Sequence, residues 1–309
     1  MIPVLTKELR GRMRGIGAPL TITLYVTLLA LVLYGMFSYV SRQAYFNGAQ
    51  FALLGLQLFW ILNIFQMLLV AFVAPTLTAG AIAGEKERQT FDLLLSTRLS
   101  GLGILAGKLV AGIGYAVLLI AASTPLFALA FIFGGVPMLL LVKAMSVQVI
   151  WAVFLGTAGL FFSTVSRRSQ AAVAMAVVLS LLLVFGTSLL AMFTPLYRMD
   201  KAVAVRMPPG KGGVVMPAAP RIPPWYYVNP LTGLTSAMAM QNMPVNIPIP
   251  IPFLGTNLGV QDQTPLWRVQ IELVAGGTVA LFLISWLLLD PRPLGRRRRA
   301  APPDPAGAA

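Results

Sequence analysis

Polar positions are so sparse along this chain that the apolar stretches between them define its plan. Six apolar runs stand near 18–40, 51–78, 102–133, 138–163, 171–195 and 271–289. Each is long enough to cross about 30 Å of hydrocarbon as an α-helix, so the pattern predicts an all-α, polytopic membrane helical bundle of six spans. The second and third runs exceed that need and are predicted to project into the cytoplasm. Pro75 and Pro125 fall inside runs and are tolerable kink points if neighbouring groups satisfy the freed carbonyls.

Composition agrees with the pattern. Hydrophobic residues make up 58% of 309 and charged residues 10%, and the mean hydropathy is +0.82, which excludes a soluble domain. The net charge of +14 raises nucleic acid as a partner. The basic residues sit at the edges of apolar runs, however, and form no groove or stripe, so topology accounts for them and no nucleic acid is predicted. With the N-terminus inside, the inner segments hold Lys7, Arg10, Arg12 and Arg14; Lys86, Arg88, Arg98 and Lys108; Arg167 and Arg168; and Arg292 with Arg296 to Arg299. The short outer connections hold only Arg42 and Lys143. This places both termini in the cytoplasm of a multi-pass protein of the inner (plasma) membrane. The first run is too long for a signal-peptide core and lacks a small-residue cleavage site, so it reads as a retained span.

There is no cysteine and no histidine, which removes disulfides, the usual zinc sites and every Ser-His or Cys-His nucleophile. Nor do the span cores carry Asp or Glu for acid–base work, so a membrane enzyme is disfavoured and no catalytic, metal or cofactor-binding residue is assigned. Gly107-Lys108 is not a phosphate-binding loop: Leu109 follows where Ser or Thr belongs, and Leu102 stands in place of the first glycine. An ATP-driven function therefore needs a separate ATPase polypeptide.

Between spans five and six lies a long outer segment, 196–270, with twelve prolines. Within it Asn229-Pro230 reads as a helix start, predicting a short interfacial or re-entrant helix over about 230–242. Leu231, Leu234, Thr235 and Met238 share one face of it, and Trp225, Tyr226 and Tyr227 before it suit the headgroup level. Leu231, Leu234 and Met238 are candidates for an outer gate; a cap that merely packs is the other reading. At the ends, 1–17 is a basic segment that precedes the first apolar run. The tail 291–309 reads as basic and disordered, with Arg296–Arg299 as a topology anchor touching acidic lipid.

Inside the spans, Asn63 and Gln66 lie three apart on one face of span two, and Gln148 lies in span four. Such amides bond across helices or line a translocation path. Gly103, Gly107 and Ala111, like Gly80 and Gly84, form small-residue ridges that predict close helix packing or a dimer contact.

The segment between spans two and three is the richest in chemistry. Gly84 reads as the end of one helix and Glu85 and Glu87 as the start of the next, over about 85–95. Phe91, Leu94 and Leu95 give it an apolar stripe against a charged back, and Ser100 caps the helix of span three. A helix of this kind either lies on lipid or docks on a soluble partner; its acidic residues face anionic headgroups unfavourably.

The run from Ile82 through Glu85, Glu87, Arg88, Thr90, Phe91, Asp92, Leu94, Leu95, Thr97, Leu99 and Ser100 to Gly107-Lys108 resembles the permease subunit of type-2 ABC transporters. It departs from that pattern at Gln89, where glycine is usual, at Asp92 for glutamate and at Arg98 for proline. The basic segment Lys7 to Arg14 resembles the family's interfacial helix before span one, which implies a cytoplasmic interfacial helix over 1–17; the short turn at Ser166–Ser169 and the large segment between spans five and six also fit. The resemblance implies a membrane-spanning permease, in the family's commoner direction an exporter. It also implies a coupling helix, through Glu85, Glu87, Arg88, Thr90, Phe91, Leu94 and Leu95, that docks on an ABC-type nucleotide-binding ATPase subunit. ATP and Mg would lie on that partner, with no cofactor on this chain, and the permease would be a homodimer or pair with a paralogue. The alternative is a membrane interaction or assembly protein acting through its outer segment without transport. A channel or proton-driven carrier lacks intramembrane charges and repeats.

Overall fold

The computed structural model describes residues 15–43, 48–91, 101–133, 136–192, 224–238 and 266–289, and every regular element among them is helical. Helix α1 is Gly17–Gln43 and α2 is Gly48–Glu87. The third span is α3, Gly101–Ala122, continued by α4, Thr124–Ile132. Helix α5 is Met138–Val165. The fifth span comprises α6, Ser169–Leu181, a π-helical turn Leu182–Gly186 and α7, Thr187–Met192. A 3₁₀ turn Pro224–Tyr227 leads into α8, Pro230–Met238, and α9 is Leu266–Leu289. Six of these segments are long and apolar enough to cross a membrane. The predicted interfacial helix 1–17, apart from its last three residues, lies outside the described residues. So do Leu94, Leu95 and Ser100, the outer segment around α8, residues 239–242 of the predicted short helix, and the tail 291–309.

Chain order gives the bundle two faces. The end of α2, the starts of α3 and α6 and the ends of α5 and α9 share one, here the Glu87 face; α8 and the start of α9 share the other. Span two is the central element and packs against spans one, three, four and five, while span six leans chiefly on span four. Its 40 residues extend about 60 Å, roughly twice the hydrocarbon thickness, so α2 overhangs the bilayer.

The lipid-facing surface follows from exposure. In α1, Leu20, Leu24, Leu28 and Leu31 form an exposed stripe at helical spacing, while Tyr25, Leu29 and Leu33 on the other side are buried. Both faces are apolar because lipid and protein interior solvate them alike. The main core gathers Leu29, Phe59, Met67, Phe127, Trp151 and Leu155, with Phe59 and Phe127 edge to face at 5.6 Å.

Two interruptions answer to identifiable causes. The third span breaks at Ser123, two residues before Pro125, whose ring removes a backbone donor. There the Ile120 carbonyl accepts from the Ser123 N–H at 3.3 Å and the Ser123 hydroxyl at 2.6 Å. Gln66 of span two donates to the Ser123 hydroxyl at 2.7 Å. The amide read from sequence thus bonds across helices at the proline break. Its neighbour Asn63 accepts from Gln148 of span four at 3.0 Å and donates to the Phe59 carbonyl at 2.8 Å. All three amides are fully buried. The second interruption, the π turn in span five, has no proline and no polar residue to announce it.

Small residues pack closely, though not all of those expected to. A Cβ placed on Gly80 or Gly84 would meet nothing within 4 Å, so the close packing read there is corrected: that side of α2 is open. The tight contact lies one turn earlier. Thr78 donates to the Gly156 carbonyl of span four at 2.6 Å, and Gly159 and Gly112 leave room for Thr78 and Pro75.

Candidate docking site at the end of span two

The helix that crosses the membrane as span two does not stop at Gly84. It continues through Glu87 and closes on a turn in which the Thr90 N–H donates to the Glu85 carbonyl at 3.0 Å and the Gln89 N–H to the Lys86 carbonyl at 3.2 Å. That pair of bonds is a Schellman closure, and its pivot, Gln89, sits at φ 57° in the left-handed region. Gly84 does not adopt a positive φ. The predicted boundary is therefore corrected: Glu85 and Glu87 occupy the last turn of a long helix, not the first turn of a new one. The position where the family pattern has glycine is the one whose backbone asks for it. Gln89→Gly is expected to raise stability by about 1 kcal/mol, read as a higher unfolding midpoint in detergent. A lowered midpoint would contradict the strain assigned here.

The carboxylates of that last turn clamp neighbouring spans. Glu85 pairs with Lys108 of span three at 3.3 Å and accepts from the Thr90 hydroxyl. Lys108 is only 4% exposed in this pair. Lys86 donates to the Thr164 carbonyl at the end of span four and lies over the Phe91 ring at 5.7 Å. Glu87 accepts from both the backbone N–H (3.1 Å) and the hydroxyl (2.6 Å) of Ser169, the first residue of α6. A carboxylate there satisfies an orphan donor and faces the positive end of the helix. One turn earlier the Ser163 hydroxyl accepts from the Ile82 and Ala83 N–H groups at 2.8 and 2.9 Å.

Among the residues singled out from sequence, Arg88 is exposed, whereas Phe91 is half-buried against a cluster of Ile82, Leu105, Leu109, Leu160 and Leu289. Phe91 is thus an anchor of the turn on spans three, four and six. The sequence pointed to Lys108 and Ser169 only as an inner charge and part of a short turn, and assigned no contact to them or to Ser163 and Thr164. A lysine inside an apolar run signals a partner, so Lys108 was findable; a carbonyl such as that of Thr164 carries no sequence signal.

On the opposite face, α8 starts at Pro230, and Asn229 accepts from the Leu231 N–H at 2.8 Å through its side chain. Leu231 and Leu234 are buried in the main core with Ala237; the side chain of Met238 lies outside the described set.

No curated protein matches the chain. The sequence model for the ABC-2 family transporter protein matches residues 2–208. That match covers most of the chain and includes the first five spans and the whole turn described above. Together with six apolar spans it establishes that this multi-pass membrane protein belongs to the ABC-2 family of transporters, as a membrane-spanning permease.

Proposed function

We propose that the chain is the permease subunit of an ATP-driven exporter of the inner membrane, with both termini cytoplasmic. It would form the translocation path as a homodimer or with a paralogue, and take its energy from a separate nucleotide-binding subunit that carries ATP and Mg. ABC-2 permeases generally work with an ATPase subunit. The observation that carries the reading is the clamped turn. Span two overhangs the bilayer, and its last turn is bonded to spans three, four and five through Glu85, Lys86 and Glu87. A push on it moves four spans together, which a loose loop could not do.

In this reading Arg88, Leu94 and Leu95 meet the ATPase, while Glu85, Glu87, Thr90 and Phe91 hold the turn rigid. Asn63, Gln66 and Gln148 serve as interhelical ties, and Leu231, Leu234 and Met238 belong to an outer gate. The double substitution Arg88→Glu with Leu94→Asp is expected to abolish co-purification of an ATPase from native membranes, with insertion and melting of the permease unchanged. An ATPase still captured by that variant would overturn the docking assignment. If the unaltered protein captured none, the alternative of an assembly protein without transport would stand.

A further inference from the structure

Asn229 does more than cap α8. Its side-chain amide donates to the Ser188 hydroxyl of span five at 2.8 Å, and its backbone carbonyl accepts from Gln270, in the second turn of span six, at 2.6 Å. All three side chains are at most 2% exposed. Gly233 is shaped to this arrangement: a Cβ there would collide with the Gln270 amide. One residue therefore ties the short helix to two spans by polar bonds alone, in a setting where their loss leaves buried groups unpaired.

Ser188 in turn donates its hydroxyl to the Val184 carbonyl, which lies inside the π turn. A π turn holds one residue more than an α turn. Its conversion to α geometry would rotate everything beyond it by about 100° and shift it by about 1.5 Å. The other end of span five is fixed, because Glu87 holds Ser169. The rotation would thus fall on the α7 end and carry Ser188 away from Asn229.

We infer that Asn229 is the latch of α8 and that the π turn of span five is the joint that releases it. This rests on reading α8 as the outer gate, and it assigns the bonds that hold that gate shut. Neither the amide of Asn229 nor the register of span five would matter in this way to a cap fixed by its leucines.

Because the chain has no cysteine, one introduced thiol reports alone. The full-length protein is purified with a single cysteine at Leu234 or Ala237, both buried, and with a control cysteine at Ala152 in span four, also buried. Labelling by a membrane-impermeant maleimide is timed with and without Asn229→Ala, and with deletion of Leu183, which shortens the π turn. Both changes are expected to speed labelling at 234 and 237 by about tenfold, the loss of one or two net hydrogen bonds, while position 152 stays protected. Unchanged labelling at 234 and 237 overturns the latch. Faster labelling at 152 as well overturns it too, because the substitution then loosens the whole bundle. No ATPase takes part, so failure here leaves the permease reading untouched, and failure to capture an ATPase leaves this result standing.

Discussion

A single methyl group at position 159 is expected to cost the bundle on the order of 3 kcal/mol. In Gly159→Ala the new Cβ would lie 2.5 Å from the Pro75 carbonyl oxygen and 3.1 Å from the Pro75 Cα, and would collide with the Thr78 hydroxyl. The first two are backbone atoms of the central helix. They cannot swing aside, so relief requires spans two and four to part along their longest shared contact. In lipid, helix association draws on close packing and not on the hydrophobic effect, and a separation of this kind is not recovered elsewhere. The same step also removes the approach that lets Thr78 reach the Gly156 carbonyl. Two controls set the scale. In Gly156→Ala the Cβ meets its nearest neighbour at 3.4 Å, an ordinary contact, and in Gly84→Ala it meets nothing within 4 Å. Titration of the purified proteins with SDS should leave the Gly84 variant unchanged, move the Gly156 variant little and move Gly159→Ala far. Equal midpoints for the 84 and 159 variants would mean that the two spans do not meet as described.

That contrast shows what the sequence could and could not disclose. The six spans were legible because apolar length is the main requirement for crossing a bilayer. Which glycines are close contacts was not, since it depends on what stands opposite. Gly80-xxx-Gly84 has the spacing of a packing ridge and faces open space, whereas Gly156 and Gly159 lie against Thr78 with only a three-residue spacing as a clue. The end of span two was misplaced for a related reason. Hydropathy falls at Thr78 and Gly84 offers a plausible stop, but a helix ends where the backbone turns left-handed, and here that residue is a glutamine. Pro125 announced its break, and Asn229-Pro230 its helix, because both act through local backbone chemistry. The π turn in Leu182–Gly186 has no such marker. The tie of Asn229 to Ser188 and Gln270 joins residues 41 positions away on either side, beyond the reach of any local pattern.

Removing the carboxylate of Glu85 is expected to have the second large effect, again on the order of 3 kcal/mol, and to act on function as well as on stability. Lys108, only 4% exposed at the base of span three, would lose the carboxylate now 3.3 Å away. Thr90 would lose a side-chain acceptor in the same turn. The cost comes mainly from breaking one side of a largely buried ion pair, so it should shrink when the lysine's charge is taken away too. Glu85→Gln combined with Lys108→Met, which keeps the volume of both side chains, should recover most of the stability lost in Glu85→Ala. This pair of measurements separates two roles. If the ion pair only holds the turn in place, the neutral double variant will regain ATP-dependent transport together with its melting temperature. If the pair transmits the push from span two to span three, the double variant will be stable and still slow. A Glu85→Ala protein that melts with the unaltered one would remove the basis for both, because the turn would then be held without the pair and the clamp would reduce to Lys86 and Glu87.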